Sequence, residues 1–307
     1  MSTVKRPVKH LLRVLLKCRF FQVLNHYYSF CQTRRYQGMA STRELLLMLR
    51  NLAVSAPTSL PPHSVDVYRS MLTALAAHPH ELAIVPLREL LDGRKREDIA
   101  NVYLRHDVDF FPSGLEALCS IEAEFGCASS IYVLVAREKF FYSPYDITEF
   151  RWLVDKLRFQ GFEIGLHTVA YATQVGSMLD CFSREIERFE RALGYLPETF
   201  TFHGWPGCGH DRQAKRSLFS EKLLEHRDRF TSFTGKMSDY FLNPVIGISD
   251  SGVPWPGTSR EIRHFYPGEI VCVLNHPCYW SEEGITSARN QGYGVSDQKI
   301  GVKHKEI

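Results

Sequence analysis

Strand-like and helix-like runs alternate from about residue 100 to residue 275, and this predicts an α/β protein built on a parallel sheet. Two observations support that class. The runs are spaced as strand, crossover helix, strand, which is the layout of βαβ units. The strands are also apolar throughout, as in Ile131-Tyr132-Val133-Leu134-Val135, and fit a sheet covered on both faces. An open doubly wound sheet and a closed barrel both satisfy this pattern.

The strand-like runs are Val102–Arg105, Ser130–Val135, Phe162–Leu166, Thr199–Phe202, Val245–Ile248 and Ile270–Leu274, with helices between the first four. Ser113 is placed to cap a helix carrying Leu115, Leu118, Ile121 and Phe125, stopped by Gly126. Asp146 with Glu149 resembles a capping arrangement ahead of Phe150, Leu153, Val154 and Leu157, stopped by Gly161. A third helix bears Leu179, Phe182, Ile186, Phe189 and Leu193 and ends near Gly194. Its Arg184, Glu185, Glu187 and Arg188 are expected in water. The turn-rich stretch Ala56–Ser64 reads as a linker.

With 307 residues the chain can form one large α/β domain or two modest ones. The division expected is a basic helical extension and linker over residues 1–60, a catalytic-type domain over 61–285 and a polar tail over 286–307. A net charge of +3 gives no argument for a nucleic-acid partner. Residues 1–40, however, hold eight Lys and Arg and no acid, so they carry +8 and leave −5 for the remainder. This segment is either a helix packed by its apolar side or a contact for an anionic membrane surface or acidic partner. No apolar run is long enough to span a bilayer. The eight cysteines form no Cys-x-x-Cys pair and several lie in apolar runs, so reduced thiols and a cytoplasmic setting are expected, with membrane-surface association if the basic segment attaches.

The chemistry gathers at strand ends. Asp107 and Asp109 follow the first strand of the series, His167 ends the Phe162 strand and His203 the Thr199 strand. Asp250 follows the Val245 strand, and His276 ends the Ile270 strand. In α/β folds these ends share one face, where catalytic groups collect. Taken singly, each residue is a cap, a turn former or a packed histidine. Together, imidazoles and carboxylates suit a zinc-type hydrolytic centre with a base and an acid beside the metal. No Gly-x-Ser-x-Gly elbow, Walker loop or dinucleotide-binding glycine turn is present. Cys208 beside His210 lacks an orienting partner for thiol catalysis.

The order of these motifs resembles the NodB-like polysaccharide deacetylase superfamily over residues 64–285. Leu104-Arg105-His106-Asp107-Val108-Asp109 is similar to a divergent first motif, and Glu163-Ile164-Gly165-Leu166-His167-Thr168 to the second. Phe202-His203-Gly204-Trp205-Pro206, Ile248-Ser249-Asp250-Ser251-Gly252 followed by Trp255, and Leu274-Asn275-His276-Pro277 resemble the remaining three. The resemblance implies a distorted (β/α) barrel of about seven strands and a divalent metal, zinc by preference. It also implies hydrolysis of a non-peptide C–N bond in an N-acetylated sugar or glycan.

Carried over, one of Asp107 and Asp109 is the base and the other a metal ligand, with Asp107 favoured as base and Asp109 as ligand; His167 is a ligand and His276 the acid. Tyr171 stands where the family places a second ligand histidine; either His203 or Asp250 supplies the missing ligand, or the metal binds weakly or catalysis is lost. Arg105, His106, Tyr171, Trp205, Asp250 and Trp255 are expected to face substrate or support the ligands. The second function read from the same residues is a carbohydrate-binding or scaffold protein without turnover, with Trp205, Trp255, Tyr279 and Trp280 stacking on sugar rings.

Overall fold

The computed structural model describes residues 64–78, 81–109, 112–138, 141–173, 175–204, 212–230, 245–250 and 265–281, all within the compact unit Thr58–Ile307. The basic segment, nearly all of the linker, the tail, Trp205 and Trp255 lie outside these residues.

The element order is α1 (Val65–Ala76), β1 (Leu82–Ile84), α2 (Leu87–Leu91), β2 (Ala100–Val108), α3 (Leu115–Glu124), β3 (Ser130–Val133), β4 (Arg137–Glu138) and β5 (Phe141–Tyr142). Then follow α4 (Arg151–Phe159), β6 (Glu163–Thr168), α5 (Met178–Leu193), β7 (Phe200–Phe202), α6 (Arg212–Glu225), β8 (Val245–Ser249) and β9 (Ile270–Asn275). Seven strands make one parallel sheet in the order β7-β6-β3-β2-β9-β8, with β1 also paired to β2. The sheet curls into a half-barrel, so the barrel alternative is the one realised.

β2 is the central strand, and all nine of its residues are buried. Side chains alternate along it. Val102 and Leu104 pack beneath α1 and α3 with Tyr68, Leu72 and Leu118. Tyr103, on the opposite face, joins Leu87, Tyr132 and Cys272 inside the curl. Each buried Leu or Val here contributes about 1.5–3 kcal/mol of transfer free energy. Strand register continues the inner face of β2 from Tyr103 through Arg105 to Asp107, at the C-terminal end where the sheet opens.

All six expected strands are present: β2 is five residues longer than expected, β6, β8 and β9 are each one longer, and β3 and β7 are shorter. β1, α2 and the β4–β5 hairpin were not expected, being short, and neither were α1 and α6. Ser64, read as the end of a linker, caps α1 by accepting the Val67 N–H at 3.2 Å. Ser113 does not cap α3. The cap is Gly114, left-handed at φ +89°, and Ser113 instead accepts the Ser281 hydroxyl at 2.8 Å. A Cβ on Gly114 would lie 2.6 Å from the Pro277 carbonyl oxygen, so the close approach of the β9 end excludes any side chain there.

Asp146 does cap, but a 3-10 turn, Ile147–Phe150, precedes the helix proper. Glu185, expected in water, is fully buried on α5. Cys119, Cys127 and Cys181 are free thiols. Among the described residues no helix is long and apolar enough to cross a membrane.

Candidate metal centre

Three parallel strands deliver the candidate residues to one place. Asp107 lies in β2, Asp109 follows it, His167 lies in β6 and His203 follows β7. The His167 Nε2 is 3.2 Å from Asp109 Oδ1, and the His203 Nδ1 is 3.1 Å from the same oxygen. One donor atom from each of Asp109, His167 and His203 lies within 4.8 Å of the others. Donors bound tetrahedrally to one zinc at 2.0–2.1 Å sit roughly 3.3–3.4 Å apart, so small adjustments would seat an ion. The buried His203 Nε2 also has no hydrogen-bond partner. These three residues therefore fit a divalent cation by donor type and spacing.

The carboxylates are ionised. Burial pushes the Asp109 carboxyl up, but the surrounding His203, His276 and His167 outweigh it and hold it well below the usual range. Burial likewise opposes ionisation of Asp107, and the Arg105 guanidinium with His167 overcomes it. Arg105 grips Asp107 at both oxygens, through Nε at 2.7 Å and Nη2 at 2.6 Å. Asp107 reaches His167 Nε2 only at 3.4 Å. Burial outweighs both aspartates at His167 and leaves its imidazole below its ordinary pKa, in the neutral form a ligand requires. The His167 Nδ1 bonds the Thr201 hydroxyl at 2.9 Å, which fixes the ring.

His276 closes the other side. Its Nε2 is 3.5 Å from Asp109 Oδ2, while its Nδ1 meets Asp250 Oδ1 at 2.5 Å. Burial alone would lower its pKa, but Asp250, followed by Asp109, raises it to about 9. The ring is thus protonated at neutral pH. Asp250 is fully buried. Beyond the imidazole it accepts the His276 backbone N–H at 2.7 Å and the Trp280 indole N–H at 3.1 Å. It orients the histidine, and its oxygens are occupied within that arrangement. Trp280 is buried by the same contact, so it is no sugar-stacking platform.

Two expectations change in detail. Tyr171 does not join the ligands. Its buried hydroxyl donates to the His203 carbonyl at 2.6 Å, so it pins the main chain of the residue that completes the set. His106 does not face this opening. It alternates to the helix side of β2, is fully buried and meets Glu122.

Three supporting residues had not been expected. Thr201 shares a β7 face with His203 by the period of two, which is the one signal the sequence offered. The Tyr145 hydroxyl donates to the Val108 carbonyl at 2.6 Å, fixing the peptide between the two aspartates. Glu185 accepts the Thr168 hydroxyl and, at 3.3 Å, the Val169 N–H, immediately beyond His167. The Thr168 carbonyl in turn accepts the His203 N–H at 3.0 Å, so one contact chain holds both histidine strands.

No protein-family model matches the chain, and no curated protein does. Among solved structures it is similar to the catalytic domain of peptidoglycan N-acetylglucosamine deacetylase from Eubacterium rectale. Identity is 12%, the match covers 62% of this chain and 85% of that one, and the TM-score is 0.36. A likeness at this level assigns no residue role.

Proposed function

We propose that the chain is a metal-dependent hydrolase that removes the acetyl group from an N-acetylated sugar or polysaccharide. The observation that carries the reading is the convergence of Asp109, His167 and His203, flanked by an ionised Asp107 and a protonated His276. The substrate class rests on the resemblance of the five strand-end motifs to polysaccharide deacetylases, and zinc is the ion this nitrogen and oxygen set suits best.

Asp109, His167 and His203 would hold the cation. When bound, it supplies a Lewis acid that polarises the amide carbonyl and makes water a better nucleophile. Asp107, clamped by Arg105 and already ionised, accepts a proton from the attacking water. His276, charged and backed by Asp250, donates its proton to the departing amine nitrogen. The low basicity imposed on Asp107 by Arg105 is offset by a fixed position within the site.

The test is acetate release from N-acetylglucosamine oligomers by the full chain. Activity should vanish on chelation, return with zinc, and stay absent in Asp109→Asn whatever metal is added. Glycan binding without acetate release under zinc, cobalt and manganese would overturn the hydrolase reading in favour of a binding protein on the same fold.

A further inference from the structure

A second group of ligand-type side chains lies on the helix side of β2, behind Asp107. His106 from β2 and Cys119 and Glu122 from α3 each offer one donor atom, and these atoms lie within 4.8 Å of one another. All three are sealed from solvent, with His106 and Glu122 at 0% and Cys119 at 1% exposure. Cys119 and Glu122 are three residues apart, so one face of α3 presents both to the strand.

Hydrogen bonding uses only part of this group. Glu122 Oε1 meets the His106 Nε2 at 2.7 Å and also accepts the Tyr68 hydroxyl from α1. The other carboxylate oxygen, Oε2, and the other imidazole nitrogen, Nδ1, are buried without a hydrogen-bond partner. Buried polar atoms left in this way cost free energy, and native structures rarely leave two in one contact. The donor set is one imidazole, one thiol and one carboxylate. With the thiol deprotonated it carries two negative charges, which a divalent ion would neutralise in a place that water cannot reach.

We propose that His106, Cys119 and Glu122 form a structural site for a thiophilic divalent cation such as zinc, which fastens α3 to the back of the central strand. The site is distinct from the strand-end centre: alternation along β2 turns His106 away from Asp107 and Asp109. It takes no part in hydrolysis. The ion binds with loss of the Cys119 thiol proton to solvent, and the imidazole is ligated in its neutral form. No electron transfer is involved. A thiolate ligand favours zinc or cobalt over magnesium or calcium.

Cobalt(II) titration of the metal-free full chain tests this, because a thiolate ligand gives a near-ultraviolet charge-transfer absorption that oxygen and nitrogen ligands do not. The wild type should bind two cobalt ions per chain and show that absorption. Cys119→Ala should bind one and lose the absorption, whereas His167→Ala should bind one and keep it. X-ray absorption of the cobalt-loaded wild type should show a sulfur neighbour, and this readout does not depend on any variant folding. Absence of a sulfur neighbour, or a charge-transfer band undiminished in folded Cys119→Ala, would overturn the proposal. Failure of the strand-end reading would appear separately, as a full complement of two ions in His167→Ala.

Discussion

Asp109 is the residue on which the site turns, because its two oxygens reach three imidazoles. Oδ1 faces His167 and His203, and Oδ2 faces His276. Such crowding of positive-capable rings around one carboxylate keeps it ionised despite burial. Tyr171 matters through His203 and not as a ligand. Tyr171→Phe removes only the hydroxyl that holds the His203 carbonyl, so metal affinity should weaken about 10-fold, the low end of supporting-residue effects, with the fold retained. Competition for zinc against a chromophoric chelator measures this, and unchanged affinity would show that Tyr171 merely packs. The aspartate and histidine positions were legible in the sequence because strand ends share a face. The partners of Tyr171 and His106 were not: alternation turns His106 off the Asp107 face, but which residue of another element meets it is set by tertiary packing.

At the scale of elements, β2 and β6 carry the geometry, and small residues let them do so. A Cβ on Gly165 in β6 would run into the Tyr132 ring and lie 2.8 Å from the Thr199 carbonyl oxygen. Gly165→Ala should therefore cost about 1–3 kcal/mol in chemical denaturation, as overpacked positions do, and an unchanged midpoint would contradict the packing described. The long strands and amphipathic helices were readable from period two and period 3.6. Short elements were not, because three residues of β1 or two of β4 carry no periodicity. Ser113 misled for a related reason. Its hydroxyl competes for Ser281, and the tight turn at Pro277 demands Gly114 as the cap.

Across the whole molecule, buried acids set the pH response. Glu185 lies fully buried between α5 and the end of β6, and burial raises its pKa from 4.5 to about 8. The folded state thus keeps the proton that the unfolded chain releases. Its contribution is intact below about 4.5 and is lost as pH rises toward about 8. In metal-free protein, Glu185→Gln should flatten the fall in stability across that window; a fall equal to the wild type would sink this assignment. Residues 1–40, with +8, should draw the full chain to anionic vesicles at low salt and release it at high salt. Equal sedimentation of a chain starting at Met39 would remove that role. Binding of one metal ion by Asp109, His167 and His203 would be visible in anomalous diffraction from crystals grown with cobalt. A peak should appear bounded by those three side chains, about 2.0–2.2 Å from each donor atom. Full cobalt loading with no peak there would contradict it.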